Sequence, residues 1–388
     1  MKSAFCWALL IFTALNGLLN SADRSKGIAP ETVNEQLFDY SGTEASPQYL
    51  RHTANVLLLG SSLFLHPEWS VDRNLEITEP WGKATIVSES HYHLAQGLEN
   101  ELVNSGFEQP YVYNLAAGGA LISDAYLLLF HYLQKHPKPA VVVLDCAPRS
   151  FSDTGVNQPE ATPVFDRCFQ IQDFPLLHEI YLGSTNAKIN FFLSQMFFVY
   201  HHRKWLAEDA TKQLVGSLGC LLRSKKECVV PKTAIPTNSA ASNKKETVTI
   251  EQAEQASRMA KSLQEYRDRY RWMTRQGLAP QLRFLQRVQD LCAEKKIKLI
   301  IVNMPLSQQN KNLLSDGFYD GYRSDVANAV HGDAVFLDLA RSEGNWPINY
   351  YHDSVHLNER GGVQLNKVIA NAITRRVMKA DSGSGVSQ

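Results

Sequence analysis

Asn55-Val56-Leu57-Leu58-Leu59-Gly60-Ser61-Ser62 is the stretch from which the fold of this chain is read. A short, unbroken apolar run that stops at a glycine has the pattern of a strand buried on both faces of a parallel sheet. Four further runs have the same character: Tyr111 to Leu115, Ala140 to Cys146, Lys298 to Asn303 and Ala334 to Leu339. Helical patterns separate them. Ser90 to Asn104 carries Leu94, Leu98 and Leu102 on one face. Ser123 to Lys135 opens on the start signals Ser123 and Asp124, and Gln281 to Lys296 has the stripe Leu282, Leu285, Val288 and Leu291. Asn358 to Lys379 is the last. Strands alternating with helices predict an α/β fold, a three-layer, doubly wound, five-stranded parallel sheet. Right-handed crossovers place every strand's C-terminal end on one edge, where ligands bind in open α/β sheets.

Outside that core the chain divides as follows. Lys2 followed by the apolar run Ala4 to Leu19 reads as a secretory signal or a signal anchor over residues 1–22, which predicts export to the cell envelope, the periplasm or the outer face of a membrane. For cleavage after Ala22, Asn20 at the −3 position is a poor small-residue match, which favours an uncleaved anchor. Residues 23–50 read as a linker and 51–380 as the α/β domain, with a tail over 381–388. Within the domain, about 150–280 forms a helical insertion, including a polar loop near 223–250 and a return to helix over 251–276. The apolar stretch Phe191 to Tyr200 suits a core helix of the insertion, a channel for an acyl chain, or a helix resting on a membrane interface with His201 to Lys204 at the head groups.

Charge and cysteine content exclude several function classes. Lys plus Arg (39) equals Asp plus Glu (39), and there is no basic helix, so nothing recruits nucleic acid. Six cysteines are present without a Cys-x-x-Cys pair, which argues against a zinc site or thioredoxin-like chemistry; neither a metal nor a cofactor is expected. Cys220 and Cys228 bracket a basic loop and form either a disulfide or two free thiols.

Two segments far apart in sequence carry chemistry. Gly60-Ser61-Ser62 follows the first strand, and His352-Asp353-Ser354-Val355-His356-Leu357 precedes the last helix. A serine hydroxyl is a weak nucleophile until a base takes its proton. An imidazole does so, and a carboxylate orients it and stabilises its charged form. Asp-x-x-His supplies both on one short tether, making Ser62, Asp353 and His356 a candidate triad. The competing structural roles are a helix cap for Ser62, a helix-entry cap for Asp353 and a packed histidine for His356. His352 lacks the three-residue offset from Asp353.

This combination resembles the SGNH (GDSL-like) hydrolase superfamily, whose sheet is flavodoxin-like. The third position of the Gly-Asp-Ser-like motif maps to Ser62, and Asp-x-x-His maps to Asp353 and His356. A middle block, an Asn followed five residues later by Gly, maps to Asn114 and Gly119. The resemblance implies that the N–H groups of Ser62 and Gly119 bind the oxyanion. The family's third block, Gly-x-Asn-Asp, is absent: after the third strand stands Leu144-Asp145-Cys146-Ala147-Pro148-Arg149-Ser150. Arg149 is the candidate substitute, either as a cationic oxyanion donor or as a contact for an anionic substrate group. Asn303, at the tip of the fourth strand, is the other candidate substrate contact.

The Pro-Arg after the third strand, the apolar insertion, Val302-Asn303-Met304-Pro305-Leu306 and Tyr350-Tyr351-His352-Asp353 are similar to the DltD-type and alginate O-acetylation proteins of surface-polymer acylation. That resemblance implies serine-dependent acyl transfer or ester hydrolysis on a cell-surface glycan or polyol. It also implies a membrane tether and a membrane-bound O-acyltransferase as partner. The alternative is a non-catalytic binding or assembly subunit of a polysaccharide-modification complex, with the lost Asn marking decayed chemistry.

Overall fold

The computed structural model describes residues 54–75, 93–153, 244–341 and 346–382, with isolated residues elsewhere. The chain divides into two compact units, one of Met1–Glu31 with Leu182–Glu251, the other of Thr32–Tyr181 with Gln252–Gln388. Most of the smaller unit lies outside the described residues, as do Phe191 to Tyr200 except Leu193, the polar loop up to residue 243, and Cys220 and Cys228. Among the described residues no helix is long and apolar enough to cross a membrane.

The larger unit is α/β. In chain order it contains β1 (Val56–Leu59), α1 (Ser62–Asn74), α2 (Gln96–Asn104), β2 (Val112–Asn114), α3 (Ile122–Lys135), β3 (Val141–Cys146) and the single turn α4 (Pro148–Phe151). After the chain returns come α5 (Lys244–Tyr270, within this unit from Gln252), α6 (Ala279–Glu294), β4 (Lys298–Asn303), α7 (Gln308–Lys311), α8 (Phe318–Ala329), β5 (Val335–Asp338) and α9 (Glu359–Ser382). The strands form one five-stranded sheet in the order β2-β1-β3-β4-β5. Every pairing is parallel, with Leu59 beside Leu144, Cys146 beside Asn303 and Asn303 beside Asp338.

The short apolar runs become strands because both faces are covered. β1 and β3 are buried at every residue, whereas edge strand β5 is half-buried throughout. The helices fall into two packed groups. One joins α1, α2 and α9; the other joins α3, α6 and α8, with α6 also against α4. Their inward stripes are those expected of amphipathic helices, for example Phe284, Leu285, Val288 and Cys292 on α6.

Three boundaries differ from the sequence reading, each for a local reason. The helix expected from Ser90 begins at Gln96. His93 is held beside β2, its carbonyl accepting from Asn114 N at 2.9 Å, and the Asp72 carboxylate accepts from the N–H groups of Gln96 and Gly97, both at 2.7 Å. That carboxylate caps the helix where the local pattern does not. The expected 251–276 helix instead spans Lys244–Tyr270, beginning inside the segment read as a polar loop. Helix α8 has no counterpart in the sequence reading. Glycines at 317 and 321 weaken its signal, and only Phe318, Tyr322 and Val326 form a buried stripe.

Between α1 and α9 lies a buried acid. Glu68 is fully buried, and its Oε2 accepts from Asn366 Nδ2 at 3.2 Å. Its Oε1 and Asn366 Oδ1 are both buried without a partner. Burial, reinforced by the Asp72 charge, pushes the Glu68 pKa well above the ordinary carboxylate range.

Because the folded-state pKa is the higher one, this group's contribution to stability is full at low pH and is lost as pH rises through the folded value. Glu68→Gln is therefore expected to flatten the decline in stability as pH rises above the ordinary carboxylate range, measured by urea denaturation across a pH series. A variant that declines in parallel with the parent would place the pH dependence elsewhere. Gly60→Ala is expected to cost at least ~2 kcal/mol in the same assay, because Gly60 has φ +136° and an added Cβ would lie 2.2 Å from Asp145 Cγ.

Candidate functional site

The turn from β1 into α1 is built around Asp145. Asp145 follows Leu144, the register partner of Leu59, so its carboxylate lies against Gly60. Its Oδ2 accepts from Ser61 N at 2.8 Å, and both carboxylate oxygens lie 3.3 Å from Ser61 Oγ. Ser61 is the N-cap of α1 and accepts from Leu63 N at 3.3 Å. Ser62 is therefore the first residue of the helix, half-buried at the C-terminal edge of the sheet. Burial raises the Asp145 pKa to about 7 against the opposing bonds from Ser61 and Phe64 and the Arg149 charge.

The second half of the site is the loop Tyr351–Leu357, closed at its base. Tyr351 and Leu357 form an antiparallel bridge, and His352 N donates to His356 O at 2.8 Å. Inside the loop, Asp353 Oδ1 accepts from the N–H groups of Val355 and His356, both at 2.9 Å. That double bond to the backbone aims Oδ2 at His356 Nδ1, 2.8 Å away. The loop is also tied down from outside. Ser307 Oγ donates to Ser354 O at 2.7 Å, Asn310 Nδ2 donates to Ser354 Oγ at 3.1 Å, and Ser262 Oγ lies 2.7 Å from Ser354 Oγ. Ser354 and Val355 are buried and act as its anchors.

The two halves meet. His356 Nε2 lies 2.8 Å from Ser62 Oγ, across 294 residues of chain. The ring is one-fifth exposed and the Asp353 side chain 17% exposed, so the line of groups opens toward solvent at one end. Burial penalises the Asp353 carboxylate. The ring bond and charge of His356, with the two main-chain donors, outweigh that penalty and hold its pKa well below the usual range. An ionised Asp353 assigns the proton to Nδ1, leaving Nε2 to accept from the Ser62 hydroxyl.

The other residues singled out in the sequence take different places. Gly119, at φ +82°, lies beside Arg149: Arg149 Nη2 donates to Gly119 O at 3.1 Å. Among the described residues, neither the Gly119 nor the Ser62 N–H has a hydrogen-bond acceptor. Asn114 is fully buried, and its side-chain oxygen accepts from Ala116 N at 3.0 Å, which shapes the β2–α3 loop. Arg149 is nine-tenths buried and pairs with Asp153 through Nε at 2.9 Å. Asn303 is not brought to the site. It is fully buried, and its amide is engaged by Asp338 at 2.8 Å and by Tyr322 OH at 3.1 Å. Asn303 thus links β4 to β5 and α8.

Sequence reasoning did not single out Asp145, His66, Ser307, Asn310 or the α5 residues Ser262 and Tyr266. His66 stands one helical turn after Ser62, its ring 4.7 Å from that of His352 and 5.4 Å from that of His356. The i,i+4 spacing from Ser62 was the available signal. Burial and then the charge of His66 lower the His352 pKa. Among the described residues no group of three or more His, Cys, Asp or Glu is placed to hold a metal ion.

Compared with known proteins, the chain matches no family model and no curated sequence.

Asp353→Asn tests the assigned proton. A carboxamide that donates to Nδ1 moves the ring proton to Nε2, so the two His356 ring nitrogens are expected to exchange their characteristic 15N shifts. Unchanged shifts in a folded variant would mean that Asp353 does not set the tautomer.

Proposed function

We propose that this protein is a serine-dependent acyl-transfer or ester-hydrolysing enzyme of SGNH type, acting on a cell-surface glycan or polyol outside the cytoplasm. The observation that carries the reading is the unbroken line Ser62 Oγ, His356 Nε2, His356 Nδ1, Asp353 Oδ2, with both contacts at 2.8 Å. Hydrogen-bond reach between nucleophile and base, with the base oriented by a third group, is the geometric signature of an activated nucleophile. A surface of paired polar residues would leave such a line unexplained. The sheet order, which changes direction between β1 and β3, and the two helix groups support reading the fold as the three-layer doubly wound arrangement of that superfamily.

In this reading the Ser62 oxygen attacks an ester carbonyl carbon while its proton passes to His356 Nε2. The carbonyl π pair moves onto oxygen, where the free N–H groups of Ser62 and Gly119 receive it. When the tetrahedral adduct collapses, the carbon–oxygen bond to the leaving alcohol breaks, and His356 returns the proton to that alcohol. The acyl group then leaves Ser62 for a sugar hydroxyl or for water by the reverse sequence. Asp353 stays ionised throughout and stabilises the imidazolium. An N-terminal anchor and a membrane-bound O-acyltransferase partner belong to the same reading, as the source and place of the acyl donor.

Treatment of the full chain with a fluorophosphonate, followed by peptide mass spectrometry, is expected to give one adduct on Ser62. Ser62→Ala should abolish it, and His356→Ala should slow labelling by about 10³-fold or more. A folded protein without the Ser62 adduct would overturn the assignment.

A further inference from the structure

Helix α5 carries three hydrogen-bonding side chains at seven-residue intervals on one face, and each reaches a different point of the candidate site. Gln255 Nε2 donates to Tyr351 O at 3.2 Å, at the base of the Tyr351–Leu357 loop. Ser262 Oγ lies 2.7 Å from Ser354 Oγ, in the middle of that loop. Arg269 Nη1 donates to Asp153 Oδ2 at 2.5 Å. Two helical turns separate each tie from the next, so the three are spread over roughly 21 Å of helix. α5 belongs to neither of the packed helix groups, and among its described residues Ser262, Tyr266 and Tyr270 are the buried ones. Hydrogen bonds are directional and apolar burial is not, so a helix seated through such side chains fixes positions and does more than cover surface.

The third tie continues inward. Arg269 is itself set by Glu265, which accepts from Nε at 2.9 Å and from Nη2 at 2.7 Å and leaves Nη1 for Asp153. The Asp153 carboxylate is buried, and its Oδ2 also accepts from Arg149 Nε at 2.9 Å. Arg149 Nη2 in turn donates to Gly119 O at 3.1 Å. The turn at the end of this chain has little else to hold it. Ala120 N donates to Ala117 O at 3.1 Å, which places Gly118 and Gly119 at the tip. Neither has a side chain to anchor it, and a Cβ added at Gly118 would meet nothing within 4 Å. Among the described residues, the bond from Arg149 is the one hydrogen bond that reaches this tip from outside the turn.

We propose that Arg269 is a positioning residue that acts through Asp153 and Arg149 on Gly119, so that α5 sets the Gly119 turn against the Tyr351–Leu357 loop. The inference rests on the serine-nucleophile reading, in which the Gly119 N–H receives the oxyanion, and deepens it. Arg269 touches no reacting atom; its effect is geometric. One helix holds the loop of Asp353 and His356 through Ser354, and holds Gly119 through two guanidinium groups and a carboxylate. Base and oxyanion donor therefore keep one spacing. A donor moved off its position stabilises less of the charge that develops in the transition state, which lowers kcat and leaves KM nearly unchanged. The relay is serial. Breaking it at Arg269 or at Arg149 removes the same constraint, so the two losses do not multiply.

The test compares the full-length parent with Arg269→Met, Arg149→Met and the double variant. Fluorophosphonate titration of Ser62 counts active sites, hydrolysis of p-nitrophenyl acetate gives KM and kcat per active site, and circular dichroism verifies the fold. Arg269→Met is expected to lower kcat per site by about tenfold with KM within about threefold of the parent. In the Arg149→Met background the same substitution should change kcat by less than about twofold. If a Met variant does not fold, Arg269→Lys and Arg149→Lys decide, because they keep the charges and lose the forks. Arg269→Lys alone should then lose about threefold or more in kcat, with no further loss in the Arg149→Lys background. Folded Arg269 variants with the parental kcat per site would overturn the proposal while leaving the Ser62 assignment intact. So would losses that multiply in the double variant, or a loss confined to KM. A parent protein that itself fails to label at Ser62 would overturn both.

Discussion

A buried carboxylate at the tip of the middle strand holds the whole arrangement. Asp145 lies against the one residue without a side chain in the β1–α1 turn, accepts from Ser61 N at 2.8 Å, and thereby sets where helix α1 begins. Anions are favoured at helix N-termini, yet a carboxylate out of water is costly. The two effects oppose each other here and leave the acid with a pKa of about 7. The consequence is positional. Ser61 is consumed by capping, and the next residue, Ser62, is left with its hydroxyl directed to His356 Nε2 at the first turn of a rigid helix.

The second constraint is the way a seven-residue loop is made stiff. A loop rich in polar groups should be mobile unless its backbone is satisfied. In Tyr351–Leu357 every tie is short: a bridge closes the base, Asp353 accepts two N–H groups from within, and Ser354 is held by Ser307 and Asn310 of the capped helix α7 and by Ser262 of α5. Rigid support of this kind is what a catalytic constellation needs, since misplacement by about 1 Å can cost a hundredfold in rate. It also explains why α5, which lies in the last part of the 150–280 insertion, matters to the site. Ser262 and Tyr266 come from α5, and the same helix supplies Arg269 to the Asp153 that orients Arg149.

The local alphabet of the chain carried the five parallel strands, because a strand buried on both faces has to be a short apolar run. It also carried the helices whose stripes repeat at 3.6 residues. The misreadings arose where a remote side chain overrides local pattern. Helix α2 starts where the Asp72 carboxylate meets Gln96 and Gly97, and no feature of Ser90 to Ala95 announces that. Helix α8 was hidden by its glycines. Asn303 illustrates the same limit for function: its place at a strand tip was legible, but its amide is turned to Asp338 and Tyr322 inside the protein.

The sequence alone determined that the strands are short, apolar and of the parallel kind, and that an alcohol, an imidazole and a carboxylate sit next to strand and helix ends. Those are consequences of periodicity and short spacing, such as the three residues that tie Asp353 to His356. Only the tertiary structure decided that Ser62 and His356, 294 residues apart, come within 2.8 Å. It alone decided too that Asp145 lies under the turn that carries Ser62, and that Arg149 is pinned at Gly119. Distances between remote residues depend on how two helix layers and one sheet pack, and no local run of residues encodes that.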